Sequence, residues 1–398
     1  MFYLSAIPKP LFILFFIWPS SIFAAQLTLN DVLNAALEIH QQDNKQNLLK
    51  GKIEQPSDSW FASPPTVGLL YMHNQQSLGS KETEISLNLA IKSRLQTDID
   101  QQLKSTAPLI QRHALQQQAL FLSGLIRFTI WEYKLEYVYR EQAQQKLKVL
   151  NRLLSHYEQL EQAGNTPSYL TLLVKQERIQ VQLALLTHQN RTQTLLAQYT
   201  ELTGLHALPD NTNETVYNKN LDVLNMHPDV QALDAIWQLN IALLNGASNH
   251  AKPWNLSIFA KQNETAGITD KQIGLGVEIP LSVGNNYTAT QYNEFIAAQS
   301  QYAMEKKQTQ QLIRQSISDA AAQLEISKAR QTLLNQSLQI TQKLQPTLDK
   351  LLTSNITDQE WILRRTLEIV EIQGQYAINQ INLAKNIATL NQAAGKSL

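Results

Sequence analysis

The sequence predicts a mainly α-helical protein with two β-hairpins, built from one unit written twice. Three observations carry this. Leu37-Glu38-Ile39-His40 is echoed by Leu224-Asn225-Met226-His227. The alternating run Ile85 to Ile91 is echoed by Leu275 to Leu281, and Gly164-Asn165-Thr166-Pro167 by Asn355-Ile356-Thr357-Asp358. All three recur in one order at an offset of about 190 residues, far longer than a solenoid repeat. The units are predicted to span 25–216 and 217–398.

Residues 1–24 read as a secretory signal peptide. Lys9 supplies the positive end, Leu11 to Trp18 the apolar run, and Ser21-Ile22-Phe23-Ala24 the small-residue cleavage site. No later stretch is apolar and uncharged for long enough to cross a membrane as a helix. Any span must therefore come from strands closed into a barrel, because only closure satisfies every backbone group in lipid. The chain has no cysteine, which excludes disulfides and thiolate sites. Its 33 basic and 33 acidic residues leave no surplus of positive charge for nucleic acid.

Element by element, Leu29 to about Leu49 reads as a helix. Thr28 or Asn30 caps it, and Val32, Leu33, Ala36, Leu37 and His40 form its apolar face. Prolines 56, 64 and 65 end it. Strands follow at about 67–73 and 82–92. In the second, Ile85, Leu87, Leu89 and Ile91 alternate with polar residues, as a barrel strand requires. An ordinary half-buried soluble hairpin is the alternative. From Arg94 to Ala163 only Pro108 and Gly124 interrupt a helical pattern. About 70 residues at about 1.5 Å each give a helix of about 105 Å. Pro108 is expected to kink it. The turn at 164–168 puts Gly164 past the helix end and Pro167 at the first position of a return helix that ends at Gly204. The second unit repeats the plan: a helix from Pro228 capped by His227 or Asn225, strands at about 255–261 and 272–281, a long helix to about Thr353, a turn at 354–358 and a last helix.

Catalytic constellations are missing. The eight histidines (40, 73, 113, 156, 188, 206, 227 and 250) show no metal-ligand spacing. His40 and His227 read as helix-terminal caps. Asp98 with Asp100, and Asp349 with Asp358 and Glu360, pair carboxylates on helix surfaces rather than in a cleft. The expectation is no enzyme, no cofactor and no bound metal. Tyr71, Trp60 and Trp254 lie near strand ends, as interfacial or as packing aromatics.

The order of elements resembles the TolC-like outer-membrane efflux factors over the whole mature chain. The matching segments are Leu27-Thr28-Leu29 with Ala35-Ala36-Leu37-Glu38, His227-Pro228-Asp229-Val230, Gly276 to Leu281, and the turn Gly164-Asn165-Thr166-Pro167-Ser168 leading into Tyr169-Leu170-Thr171-Leu172-Leu173. Leu122-Ser123-Gly124-Leu125-Ile126-Arg127 with Trp131 looks like the outer-membrane component of cobalt-zinc-cadmium efflux systems. The chain departs from the pattern at His40-Gln41, where Asn-Pro is usual, at Ala90 in place of proline, and at Asn355 in place of glycine.

The resemblance implies a homotrimer whose 12-stranded β-barrel in outer-membrane lipid continues as a 12-column α-helical tube across the periplasm of a Gram-negative bacterium. It implies passive conduction of small solutes, divalent metal cations among them, from an inner-membrane pump through a periplasmic adaptor. The tips open by an iris-like shift. Expected adaptor contacts are Gly164, Asn165, Thr166, Ser168, Leu170, Asn355, Thr357 and Asp358, and Asp349 and Asp358 are candidates for a periplasmic gate. A bulky charge at Gly164 or Leu170 is expected to stop efflux without unfolding the trimer. The alternatives are the duct of a type I protein secretion system and a periplasmic coiled-coil adaptor.

Overall fold

The structure is a computed structural model describing residues 26–48, 59–75, 79–165, 167–216, 223–246, 252–281, 287–354 and 359–398. The signal peptide lies outside the described residues.

Helix α1 (Leu29–Leu48) starts at a reciprocal cap. The Thr28 hydroxyl accepts from the Asp31 N–H at 3.2 Å, and the Thr28 N–H donates to the Asp31 carboxylate at 2.9 Å. Val32, Leu33 and Ala36 are buried. His40 lies inside α1, not at its end, and its Nδ1 pairs with the Ala36 carbonyl at 3.0 Å. The expected cap is found only at His227, whose Nδ1 accepts from the Asp229 N–H.

Strands β1 (Thr66–His73), β2 (Ser80–Ile91), β3 (Trp254–Thr265) and β4 (Ile268–Glu278) form one antiparallel sheet in chain order. Strand β4 begins four residues before the expected 272 and ends at Glu278 rather than Leu281. The connection expected between 261 and 272 is a two-residue turn. Thr265 pairs with Ile268, and Ala266 and Gly267 take φ of 52° and 79°. Two positive φ values make the turn whose twist matches its strands. Alanine is an uncommon choice there, so the sequence signal was weak.

Helix α2 (Arg94–Gln162) runs 69 residues, about 104 Å, and passes Pro108 without a break. Ser93 caps it, accepting from the Gln96 N–H. Helix α3 (Ser168–Thr203) returns beside it and stops at Gly204, φ 69°. Pro167 is the cap residue itself, at φ −68° and ψ 142°, one place earlier than expected. Helices α4 (Val223–Met226) and α5 (Pro228–Gly246) precede β3. Helix α6 (Ala289–Ser354) begins at a Thr288–Gln291 capping box and contains Pro346. Helix α7 (Gln359–Ala393) ends the chain's helices.

The helices form four columns in the order α3, α2, α7, α6. The short helices complete the columns. Gly204 at the end of α3 meets Ile39 of α1, and Gly395 after α7 meets His227 and Pro228 at the start of α5. One core joins Leu150, Leu153, Leu154 and Tyr157 of α2 with Val174 and Val181 of α3 and Leu363 of α7. Another joins Leu122, Ile126 and Ile130 with α1 and Tyr199.

Beside this second core a buried polar staple ties the α3–α4 linker and the C-terminal tail to the middle of α2. The Arg127 guanidinium donates to both Glu214 oxygens at 2.8 and 2.7 Å, to Gln392 at 2.5 Å and to the Lys396 carbonyl at 2.8 Å. Arg127 and Glu214 are 5% and 9% exposed. Asn391 adds a donor to Glu214 at 2.9 Å.

Candidate functional site

Three features stand out: the two faces of the sheet, the tip of the first helical hairpin, and the outer edges of both layers.

The sheet's register sorts its side chains cleanly. Because successive side chains alternate, directly paired residues share a face. One face carries the rows Phe61–Ile91–Trp254, Leu89–Leu256–Val277, Val67–Leu87–Ile258–Leu275 and Leu69–Ile85–Ala260–Ile273. The next row, Tyr71–Thr83–Gln262–Lys271, turns polar. Val67, Leu69, Ile273 and Leu275 are all well exposed. From Trp254 to Gln262 is about 27 Å along the strand, or about 20 Å of height at the tilt of barrel strands. Aromatic residues mark both limits: Phe61 and Trp254 at one, Tyr71 at the other. Trp60 is almost fully exposed. The opposite face carries Thr66–Asn88–Ser257–Gly276, Gly68–Ser86–Phe259–Gly274, Leu70–Glu84–Lys261–Gln272 and Met72–Glu82–Asn263–Asp270. Lys261 forms an ion pair with Glu82 there.

At the tip, Gly164 (φ 73°) closes α2 with paired bonds: its N–H donates to the Glu161 carbonyl and the Asn165 N–H to the Leu160 carbonyl. Gly164, Asn165 and Ser168 are exposed. Leu170 is not: at 3% exposure its side chain is inside, so a charge there would break the hairpin's own packing rather than a docking contact. The exposed apolar positions beside it are Tyr169, Leu172 and Leu173, which line a shallow groove with Lys175, Gln176 and Ile179. Thr166, Asn355, Thr357 and Asp358 lie outside the described residues. Asp349 is exposed near the end of α6, next to buried Leu348. Gly164→Val should cost about 1–2 kcal/mol, because a side chain at this φ meets its own backbone. Faster protease cleavage at the turn is expected for Gly164→Val than for wild type; equal rates would contradict it.

Sequence inspection passed over the edge columns. Helix α3 exposes Leu172, Ile179, Leu183 and Leu186, and α6 exposes Ile326, Leu333 and Ile340. The seven-residue steps 172–179–186 and 326–333–340 are the spacing of a coiled-coil seam. They had been legible in the sequence as leucine and isoleucine heptads. The two stripes overlap in height. His188 of α3 pairs with Glu136 of α2, Gln142 of α2 with Glu371 of α7, and Asn379 of α7 with Gln331 of α6. This chain of bonds levels residue 188 of α3 with about residue 333 of α6, counting about 1.5 Å per residue. Among the described residues, strands β1 and β4 likewise have no further strand on their outer edges.

No described helix is long and apolar enough to cross a membrane. Among the described residues, no three His, Cys, Asp or Glu side chains group closely enough to hold a metal ion.

No protein-family model and no curated protein matches the sequence. Solved structures do. The chain superposes on VceC, an outer membrane protein of Vibrio cholerae, with a TM-score of 0.66 at 15% identity, over 93% of this chain and 96% of that one. The chain has the TolC-like channel fold. CusC, studied for transmembrane channel formation, gives a TM-score of 0.66 at 13% identity over 93% and 91%. The open state of the MtrE outer membrane channel of Neisseria gonorrhoeae gives 0.55 at 12% over 92% and 86%. The TolC-like fold thus spans nearly the whole chain, and at these identities the fold is what is shared.

Proposed function

We propose that three copies of this chain close edge to edge into a 12-stranded barrel continued by a 12-column helical tube, forming the outer-membrane duct of a tripartite efflux system. The observation that carries this is the pair of open edges. Among the described residues, strands and helices both end in edges with no further neighbour in the chain, and the helical edges bear apolar seams that overlap in height. A head-to-tail contact between unlike edges generates a ring when the rotation closes. Closure removes the strand edges and leaves the apolar face to lipid and the polar face to the lumen.

The two repeats, 25–216 and 217–398, each supply two strands and two columns. Neither could close either layer alone. The helical tips extend into the periplasm, where Gly164, Asn165, Ser168 and the neighbouring Tyr169 and Leu172 meet an adaptor that links the duct to an inner-membrane pump. Thr166 and the second turn, with Asn355, Thr357 and Asp358, join that contact, and Asp349 and Asp358 face the constricted end. Conduction is passive, and the pump supplies the energy. The cargo is a small solute, with divalent metal cations as the class to test first.

A strain lacking this protein should become sensitive to the exported solute, and outer-membrane extracts of the parent should yield a trimer that dissociates only on heating. A soluble periplasmic monomer would defeat the reading. A sensitivity confined to divalent metals would fix the cargo.

A further inference from the structure

The polar face of the sheet is lined mostly by small or hydrophilic side chains. In its second row Gly68, Ser86 and Gly274 stand beside one aromatic residue, Phe259. The ring is not free to stand anywhere. Phe259 pairs directly with Gly274 across β3 and β4, and it lies over the glycine. A Cβ built at Gly274 would fall 2.2 Å from the ring's Cζ and under 3 Å from both Cε atoms. The flattened ring therefore occupies the space that any other residue at 274 would fill. Glycine inside a strand marks such close approaches.

We propose that Phe259 and Gly274 together set the bore of the barrel. Gly274 is a notch in the wall that parks the ring flat, and the bore at this level depends on the ring staying there. This inference rests on the barrel reading, in which the polar face lines the lumen. Three such rings would then project from one level, a third of a turn apart. Twelve strands about 4.8 Å apart, tilted about 40°, place opposite backbones about 24 Å apart. A ring lying on the wall takes about 4 Å of that radius and an upright one about 7 Å, so displacement narrows the duct where every cargo must pass. Phe259 would thus limit the size of organic solutes far more than that of small hydrated ions.

The test is single-channel conductance of the purified protein in planar bilayers. Gly274→Val puts a strand-favouring residue at this position but fills the notch. It should lower the conductance below wild type by less than about a third, the share of the cross-section that three upright rings remove at that one level, because the rest of the duct lies in series with it. Phe259→Ala should conduct at least as well as wild type, and the double variant should recover to the Phe259→Ala level. Wild-type conductance in Gly274→Val would overturn the proposal, as would a double variant no better than Gly274→Val. If the ring only shields the glycine backbone, Phe259→Ala would lower thermal stability and Gly274→Val would leave conductance unchanged. Should Gly274→Val not assemble, Gly274→Ala read with and without Phe259→Ala decides the same question. A wild-type protein that forms no conducting pore would instead defeat the duct itself.

Discussion

Leu333→Asp combined with Ile340→Asp should abolish the trimer while leaving the single chain folded. Both residues are 66% exposed in the isolated chain, so the protomer loses little when they change. In the closed ring each would be buried against α3 of the neighbour, near Leu186 and Ile179. Burial of one such side chain contributes about 1.5–3 kcal/mol, so two at each of three contacts contribute about 9–18 kcal/mol to the assembly. Placing a carboxylate in the seam adds a desolvation cost to that loss. Native gels of membrane extracts should show the trimer disappear, while circular dichroism keeps its helical signal. A trimer of normal abundance would show that these stripes are not the seam.

Arg127→Met should be the most damaging single substitution inside the protomer. It removes both bonds to Glu214 and leaves a carboxylate 9% exposed without its cation. Breaking a buried ion pair from one side costs about 3–5 kcal/mol, whereas replacing both partners by apolar residues is often neutral. Arg127→Met with Glu214→Leu should therefore recover most of what Arg127→Met loses, as read by denaturant unfolding. A double variant as unstable as the single one would argue against the pair.

Acid should act at the same point. Burial pushes the Glu214 carboxyl up, but the hydrogen bonds and charge of Arg127, with Asn391 and Lys396, outweigh it and hold the group below its usual value of 4.5. A depressed folded-state value means that the stability is fully present above about pH 4.5, the unfolded value, and is lost as the pH falls through the folded one. The α3–α4 linker should therefore loosen as the pH falls below about 4.5, before the helical cores melt. Glu214→Gln should flatten that dependence.

Much of the fold was legible because it is local. Thr28 with Asp31, Gly164 and Gly204 stop and start helices by bonds within a few residues, and alternation along 85–91 marks a strand wherever it sits. Where local signals were weak, the reading slipped. Ala266-Gly267 lacks the asparagine or aspartate that announces a tight hairpin, so β4 was placed four residues late. Leu170 reads as a surface contact in the sequence, because its place near the turn says nothing about which side of α3 it faces, yet it is buried. Glu214 had no signal at all: one acidic residue in a polar linker acquires meaning only when Arg127, 87 residues earlier, comes within 3 Å.

The sequence by itself carried the repeated plan, the lengths of the helices and the alternation of the strands. These follow from periodicity and from backbone chemistry, which each segment carries alone. Only the tertiary structure decided the order of the four columns, the row that brings Phe259 over Gly274, and which apolar residues are left facing outward on α3 and α6. Those depend on which faces are already taken by neighbours, and no single segment holds that information. A heptad of leucines reads the same whether its partner lies in the same chain or in the next; folding one copy and finding the seam still open is what distinguishes them.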